Sequence, residues 1–305
     1  MYIDLKMLRK TLNKYPQYSR KRIYGPDLIS MSRHGSSRRY METFLRSGGA
    51  DAVDVVSWHY YYCNGAIATV DQFQDPSVLD AFKEELEVAV KTMRQPSQNL
   101  PLALTETGSC YKGGAKNISD RFVAGFLWLD KLGLSAQYNI SAVHRQGFYG
   151  GETYALITYD ETSKDLFPNP DFYISVLYKR LVQGSVLKAL VSGDTRHIRM
   201  YAHCARSDVY RYPPGAIVLY YVNLQTRRLS LTLTQFDGLD LHLFLLTPGN
   251  DGLTSKFVKL NGKTLQMQGS WVPIMSAKIQ RGNIRIREKS YGFIVVPDAN
   301  FEDCI

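Results

Sequence analysis

The chain has 305 residues, of which 45% are hydrophobic and 21% are charged, and its formal net charge at pH 7 is +9. This composition excludes a disordered chain, and the lack of any run of 18 apolar residues excludes a transmembrane helix. The basic surplus favours polyanionic partners, with solvated surface charge as the alternative, and no nucleic-acid motif points to DNA or RNA.

Up to about residue 187, strand-like and helix-like segments alternate in the pattern of parallel βα units. The predicted strands are residues 22–26, 53–60, 100–106 and 140–148. The predicted helices are residues 4–12, 37–45, 76–93, 119–132 and 170–182. Serines are expected to cap the second helix, Pro76 to occupy the first turn of the third, and Gly133 to stop the fourth.

From Val186 onward the sequence consists of short runs in which apolar and polar residues alternate, separated by turn residues. This pattern predicts an antiparallel β-sandwich. Asn261 and Gly262 form a strong hairpin-turn signal within this region. We therefore predict an α/β domain, residues 1–185, followed by an all-β domain, residues 186–305. Together they would be the C-terminal half of a (β/α)8 TIM barrel and a β-sandwich.

Half a barrel has two open sheet edges, so the chain is expected to lack the N-terminal half of its barrel. The N-terminal segment, MYIDLKMLRKTLNKYPQYSRKR, is basic and amphipathic and has no apolar signal core. The protein is therefore expected to be cytosolic, or else the start of a secreted precursor is missing.

In such a barrel, reactive groups lie at the C-terminal ends of the strands. Here those ends carry Glu106, His59 with the tyrosines at 60–62, and then Arg145, Gln146 and Tyr149. A carboxylate among aromatic rings is typical of a sugar site, and a tyrosine hydroxyl beside Glu106 would orient it and keep it ionised as a nucleophile. The alternatives are a capping or salt-bridged role for Glu106, core packing for the tyrosines and a structural role for His59.

Several long segments resemble the heparanase family, the endo-β-glucuronidases of glycoside hydrolase family 79. They are SWHYYYCNGAIATVDQF from Ser57, TETGSCYKGGAKNISDRFVAGFLWLDKLGLSA from Thr105, VHRQGFYGG, YGPD from Tyr24, FYISVLYKRLV from Phe172, and the tail YAHC…LTSKFVKLNGKTLQM…DCI. The resemblance covers essentially the whole chain, in order. It implies a (β/α)8 barrel with a C-terminal β-sandwich and retaining hydrolysis of glucuronide linkages in heparan sulfate.

The resemblance places the family's nucleophile on Glu106. Its acid/base glutamate belongs to an Asn-Glu-Pro motif that this sequence lacks, and residues 1–15 resemble the segment just downstream of that motif. The partner carboxylate is therefore expected upstream of Met1, and this chain alone is expected to be inactive.

Substrate-binding roles are also implied. A loop whose backbone amides hold the glucuronate carboxylate matches residues 111–116, with Lys112 at the position of a third family glycine. The other implied contacts include a basic cluster that binds heparin, and an arginine contact of the family is replaced by Ala66. The implied binding residues are His59, Tyr111, Lys112, Gly113, Gly114, Tyr154, Arg33, Arg38 and Arg39.

The resemblance further implies a Cys204–Cys304 disulfide in the sandwich. Cys63 and Cys110 match no family cysteine, so each is expected to be a free buried thiol. The cysteines show no CxxC spacing, and we predict no metal or other cofactor. Asn117 and Asn139 head two glycosylation sequons, of which Asn139 is the poorer candidate because a strand follows it.

Two functions follow from the resemblance. The longer parent protein is expected to be a secreted, extracellular-matrix or lysosomal glycosidase that binds heparan sulfate or a similar polyanion. The alternative is a non-catalytic heparan-sulfate binder, because the family includes an inactive relative that keeps the fold. Glu106 within an otherwise matching TETGS favours the active branch.

Overall fold

The computed structural model describes residues 1–97, 99–160, 164–267, 269 and 271–305. The chain divides into two compact units. The first unit comprises residues 1–63, 80–111 and 134–146, and the second comprises residues 64–79, 112–133 and 147–305. No helix in the described ranges is both long enough and apolar enough to cross a bilayer. The domain boundary expected after residue 185 stays a prediction.

Helices form where the sequence predicts them, with one short addition after residue 206. They are α1 (Tyr2–Leu12), α2 (Gly35–Phe44), α3 (Pro76–Ser97), α4 (Ala124–Gln137), α5 (Pro170–Leu181) and α6 (Ser207–Tyr210). A π-helical turn, Leu45–Gly49, continues α2. Single 3-10 turns lie at Gln72–Gln74, Thr234–Phe236, Gly252–Thr254 and Glu302–Cys304.

Two of the expected helix ends are wrong. α2 begins at Gly35, so Ser37 lies inside it, and His34 occupies the N-cap position without a side-chain hydrogen bond in the described part of the chain. α4 begins later than expected and runs through Gly133. A Cβ at Gly133 would lie 2.4 Å from the ring of Tyr201, so this glycine permits close packing rather than ending the helix.

Most strands belong to one parallel sheet or to one large antiparallel sheet, and pairs of short strands lie outside both. Those up to residue 168 are β1 (Tyr24–Leu28), β2 (Val55–Tyr60), β3 (Cys63–Asn64), β4 (Leu102–Thr107), β5 (Cys110–Tyr111), β6 (Ala142–Arg145), β7 (Ile157–Asp160) and β8 (Asp165–Pro168). The later ones are β9 (Val182–Leu187), β10 (Ile198–Ala205), β11 (Ile217–Asn223), β12 (Leu229–Leu231), β13 (Leu241–Pro248), β14 (Val258–Leu260), β15 (Lys263–Thr264), β16 (Lys278–Gln280), β17 (Ile284–Ile286) and β18 (Ser290–Val296).

The first unit is built on a parallel sheet in the order β1-β2-β4-β6. These are the four strands expected from the sequence, with ends shifted by a few residues. Their apolar side chains, such as Val56, Trp58 and Leu104, are fully buried. α3 packs its apolar face in this unit and also buries Glu85, whose oxygens accept four hydrogen bonds from the segment 30–32.

The second unit contains the predicted antiparallel region. Its main sheet runs β15-β14-β13-β18-β11-β10-β9, with β16 paired to β13. One face of this sheet buries a core with Ile284 and Ile286 of β17. The hairpin between β14 and β15 turns at Asn261 and Gly262, with φ of 50° and 87°, which confirms the predicted turn. The chain thus combines an α/β sheet with an all-β sheet.

Candidate active site

Irregular strand pairing shapes the C-terminal edge of the parallel sheet. The register between β1 and β2 shifts between Pro26 and Leu28, so Asp27 is an extra residue with a left-handed φ of 57°. The register between β2 and β4 shifts after Trp58, so Thr105 is the extra residue there. Bulges of this kind re-aim side chains. Here they bring the carboxylates of Asp27 on β1 and Glu106 on β4 to the two sides of His59 on β2.

Glu106 lies opposite His59 in the β2–β4 pairing, and its side chain is 37% exposed. The hydroxyl of Tyr61 donates a hydrogen bond to Oε1 of Glu106 at 3.0 Å. Nδ1 of His59 is 3.7 Å from Oε2 of Glu106. The carboxylate is therefore oriented through both oxygens, and the tyrosine hydroxyl expected from the sequence is that of Tyr61.

Asp27 is a site residue that sequence reasoning missed, although it ends the YGPD segment. Its Oδ1 is 3.6 Å from Nε2 of His59 and accepts a hydrogen bond from the hydroxyl of Thr105. The contact with His59 is the main reason that the pKa of Asp27 lies well below its ordinary value; burial opposes this shift and Thr105 adds to it. Asp27 is thus ionised at neutral pH.

The three consecutive tyrosines at the end of β2 have different environments. Tyr60 and Tyr62 are buried, and their rings pack with Phe82, as the core-packing alternative expects. Tyr61 points instead to Glu106. Burial is the largest cause of a raised pKa at Tyr60, although Arg33 opposes it.

Arg33 binds both Tyr60 and Tyr61. Its Nη2 donates to the hydroxyl of Tyr60 at 3.1 Å, and its Nη1 donates to the carbonyl of Tyr61 at 3.0 Å. The guanidinium carbon lies 5.1 Å from the centre of the Tyr60 ring. Arg38 and Arg39 are exposed on α2. Of the predicted basic cluster, Arg33 is therefore the member tied to the strand end that carries Tyr61.

The expectation of free thiols at Cys63 and Cys110 is wrong. The two cysteines form a disulfide with a Cα–Cα distance of 4.6 Å. The backbone N–H of Tyr62 donates to the carbonyl of Ser109 at 2.9 Å, so the chain segments that leave β2 and β4 run side by side and bring the two cysteines together.

The disulfide implied by the resemblance is present in the second unit. Cys204 and Cys304 are joined, with a Cα–Cα distance of 5.3 Å. All four cysteines of the sequence are thus paired. In the described ranges, no cluster of three or more His, Cys, Asp or Glu side chains is arranged to hold a metal ion.

The loop at residues 112–114 belongs to the second unit and has a left-handed backbone throughout. Lys112, Gly113 and Gly114 have φ of 65°, 76° and 86°, so the lysine adopts the conformation that a glycine would favour. The backbone N–H and the hydroxyl of Thr153 donate to the carbonyl of Gly113 at 2.8 and 2.9 Å. A Cβ on Gly114 would lie 2.4 Å from that hydroxyl oxygen and 3.0 Å from the ring of Tyr154. Glycine is therefore required at 114.

Other predicted site residues lie at the surface. Tyr111 is 44% exposed, whereas Tyr154 is buried. Both sequon asparagines, Asn117 and Asn139, are exposed, and Oδ1 of Asn117 accepts a hydrogen bond from Arg121 at 2.8 Å. Glycosylation of either asparagine stays a prediction.

Comparison with known proteins identifies relatives along the whole chain. Residues 2–133 match the family described as glycosyl hydrolase family 79, N-terminal domain. Over 99% of its length the chain is 39% identical to heparanase of Rattus norvegicus, of which it covers 56%. It is 34% identical to hyaluronoglucuronidase of Hirudo nipponia, covering 60% of it, and 31% identical to inactive heparanase-2 of Homo sapiens, covering 52% of it. The chain thus spans a little more than half the length of these relatives.

Solved structures of glycoside hydrolases share the fold. The GH51 α-L-arabinofuranosidase from Thermotoga petrophila aligns with a TM-score of 0.67 at 13% identity, over 97% of this chain and 61% of that one. The 4-O-α-L-rhamnosyl-β-D-glucuronidase from Fusarium oxysporum aligns with a TM-score of 0.64 at 14% identity, over 96% and 64%. At these identities the similarity establishes the fold alone.

Proposed function

We propose that the chain, whose residues 2–133 match glycosyl hydrolase family 79, carries the nucleophile of a retaining endo-β-glucuronidase that acts on heparan sulfate. The observation that carries the proposal is the Glu106 carboxylate at a strand end, with Oε1 bound by the Tyr61 hydroxyl at 3.0 Å. A carboxylate that is already oriented and partly exposed can attack a sugar ring with little reorganisation.

The reaction takes two steps. First, an oxygen of Glu106 bonds to the anomeric carbon while the bond from that carbon to the leaving oxygen breaks, and the leaving oxygen takes a proton from an acid. Then water, losing a proton to the same group now acting as a base, attacks the anomeric carbon and releases Glu106.

The acid/base group of this proposal comes from outside the present sequence. Retaining hydrolysis needs two carboxyl groups about 5–5.5 Å apart, one of which carries a proton. Asp27 is close to Glu106 through His59, but its lowered pKa makes it a poor proton donor. The coverage of 56% of the rat relative supports a second segment that supplies the acid.

The same reasoning extends to the fold. The parallel sheet β1-β2-β4-β6 would be half of a (β/α)8 barrel, and the antiparallel sheet with β12 and β17 would be a β-sandwich. A segment that adds four strands would cover both edges of the parallel sheet. It would also complete the cleft at its C-terminal edge.

The substrate in this proposal is an anionic glycosaminoglycan, heparan sulfate or heparin. Arg33, Arg38 and Arg39 are exposed cations near the start of α2, and Lys112 is exposed in the glycine loop. The backbone amides of Gly113 and Gly114 in the second unit would bind a carboxylate of this polyanion. The relative from Hirudo nipponia is named hyaluronoglucuronidase, which supports a glucuronic acid unit in the substrate.

The nucleophile can be tested in the 305-residue chain itself with 2-deoxy-2-fluoroglucuronyl fluoride. The bond from the anomeric carbon to fluoride breaks as the bond to Glu106 forms, and fluoride leaves without needing a proton. We expect peptide mapping to find the sugar on Glu106, none on Glu106→Gln, and unchanged labelling of Glu84→Gln, which alters an exposed carboxylate of α3. Labelling of another carboxylate would overturn the assignment.

The heparan-sulfate binder remains the second candidate, because the chain is 31% identical to a human protein named inactive heparanase-2. The two candidates differ in chemistry rather than in affinity. A binder is retained on a heparin column, but it forms no covalent adduct at Glu106. It also does not cleave heparan sulfate, even when a segment that carries the acid is supplied.

An oxidising compartment, either extracellular or lysosomal, is part of the proposal. Two disulfides, Cys63–Cys110 and Cys204–Cys304, support it, because structural disulfides are rare in the reducing cytosol. The exposed sequons Asn117 and Asn139 are accessible to glycosylation there.

A further inference from the structure

We propose that Asp27 is a positioning residue that keeps His59 as an imidazolium ion between two carboxylates, and that this cation orients Glu106. The assignment of the imidazolium rests on geometry alone. Its use in orienting a nucleophile rests on the function proposed for Glu106.

The two ring nitrogens of His59 face different carboxylates. Nε2 is 3.6 Å from Oδ1 of Asp27, and Nδ1 is 3.7 Å from Oε2 of Glu106. A neutral imidazole carries a hydrogen on one nitrogen only, so one carboxylate would face a lone pair. The imidazolium places an N–H toward each of them. The arrangement therefore favours the charged ring.

Asp27 is held in place for this role. Its left-handed backbone lies at the bulge of β1, and Thr105, the extra residue of β4, donates its hydroxyl to the same Oδ1 that faces His59. Two bulges on different strands are thus joined through one carboxylate oxygen. Arg33 is bound to the hydroxyl of Tyr60 and to the carbonyl of Tyr61.

The charges explain why a second carboxylate is useful. Asp27, His59 and Glu106 together carry one negative charge when the ring is an imidazolium. When Glu106 becomes an ester it loses its charge, and the imidazolium is still balanced by Asp27. Without Asp27, ester formation would leave a partly buried cation without a counter-charge, which is unfavourable. The side chain of His59 is 22% exposed.

The protonation state can be measured directly on the full 305-residue chain. Labelling with ¹⁵N-histidine gives ring signals from only six histidines, and His59→Gln identifies the signals of His59. At pH 7 we expect both ring nitrogens of His59 to show protonated-type shifts. A neutral ring, with one nitrogen shifted far downfield, overturns the proposal.

Asp27→Asn removes the charge and keeps the shape, and we expect it to turn His59 into the neutral ring at pH 7. Asp51→Asn, which neutralises an exposed aspartate of the same unit, should leave the imidazolium unchanged. If the ring stays charged in Asp27→Asn, Asp27 does not hold it and the proposal fails. If Asp27→Asn does not fold, Asp27→Glu, which restores the charge, must keep the imidazolium.

This test separates the inference from the proposed function. Failure of the fluoride reagent to label Glu106 would reject the nucleophile while leaving the state of His59 as measured. A neutral His59 beside a labelled Glu106 would reject the inference and keep the nucleophile.

Discussion

Glu85 is a buried carboxylate whose removal tests how the loop beside the candidate site is held. It lies on α3 with no exposed surface and accepts hydrogen bonds from Ser30 Oγ, Ser32 Oγ and the backbone N–H groups of Met31 and Ser32, at 2.5–2.9 Å. Arg33 follows directly and binds the tyrosine pair. Glu85→Gln keeps the size of the side chain and removes its charge.

The expected loss of stability follows from the hydrogen-bond donors that face Glu85. A glutamine oxygen in the place of Oε2 can still accept from Ser30 and Ser32, but its NH₂ group then faces the N–H of Met31. A buried donor left without an acceptor costs about 1–3 kcal/mol, and the remaining bonds lose their charge assistance. Relief of carboxylate desolvation offsets part of this loss. We expect the free energy of unfolding to fall by about 3 kcal/mol.

Urea unfolding followed by far-UV circular dichroism and tryptophan fluorescence measures this change. Glu84→Gln alters the preceding, exposed residue and should stay within about 0.5 kcal/mol of the parent. If Glu85→Gln also stays within that margin, the four hydrogen bonds do not hold the segment 30–32 and the reasoning is refuted.

Three further predictions concern other parts of the chain. Replacing both Cys63 and Cys110 by serine should lower the free energy of unfolding by about 4 kcal/mol, which is the loop-entropy value for a separation of 47 residues. An unchanged denaturation midpoint would contradict the disulfide, and so would alkylation of both thiols in the folded parent. Burial lowers the pKa of His203, so below its ordinary value of 6.5 the unfolded chain binds a proton that the folded chain does not. The free energy of unfolding should therefore decrease as the pH falls below 6.5, and His203→Gln should make this decrease smaller. Equal pH profiles for the two proteins would refute this. Charge reversal at Arg38 and Arg39 should weaken heparin binding and lower its salt slope by about one log unit per cation engaged, whereas unchanged binding would move the polyanion site to arginines of the second unit.

The sequence pattern predicted most helices and strands, because the apolar periodicity and turn residues that specify them lie within short segments. The apolar spacing of α3 and the Asn261–Gly262 turn both appear where expected. Gly133 shows the limit of such reasoning, because a glycine that ends a helix and one that admits a neighbouring ring look alike in sequence. Only the position of Tyr201 decides between them.

The candidate site divides in the same way. Glu106 stands out because a carboxylate directly follows an apolar strand, and a nearby tyrosine was expected to orient it. Which of three consecutive tyrosines does so depends on the path of the chain after β2, which gives this role to Tyr61. Asp27 stood out only as the last residue of the YGPD segment, since its importance comes from His59 and Thr105 on other strands.

The sequence by itself determined the order of the elements, the change from an α/β pattern to an all-β pattern, and the carboxylate at the end of β4. These depend on periodicity and turn chemistry within short windows. Only the tertiary structure joined Cys63 to Cys110 and placed His59 between two carboxylates. The residues concerned are tens of positions apart. The disulfide depends on the side-by-side course of the segments after β2 and β4, and the position of His59 depends on two register shifts between strands. A register shift is set by cross-strand packing and backbone hydrogen bonds, which no local stretch of sequence specifies.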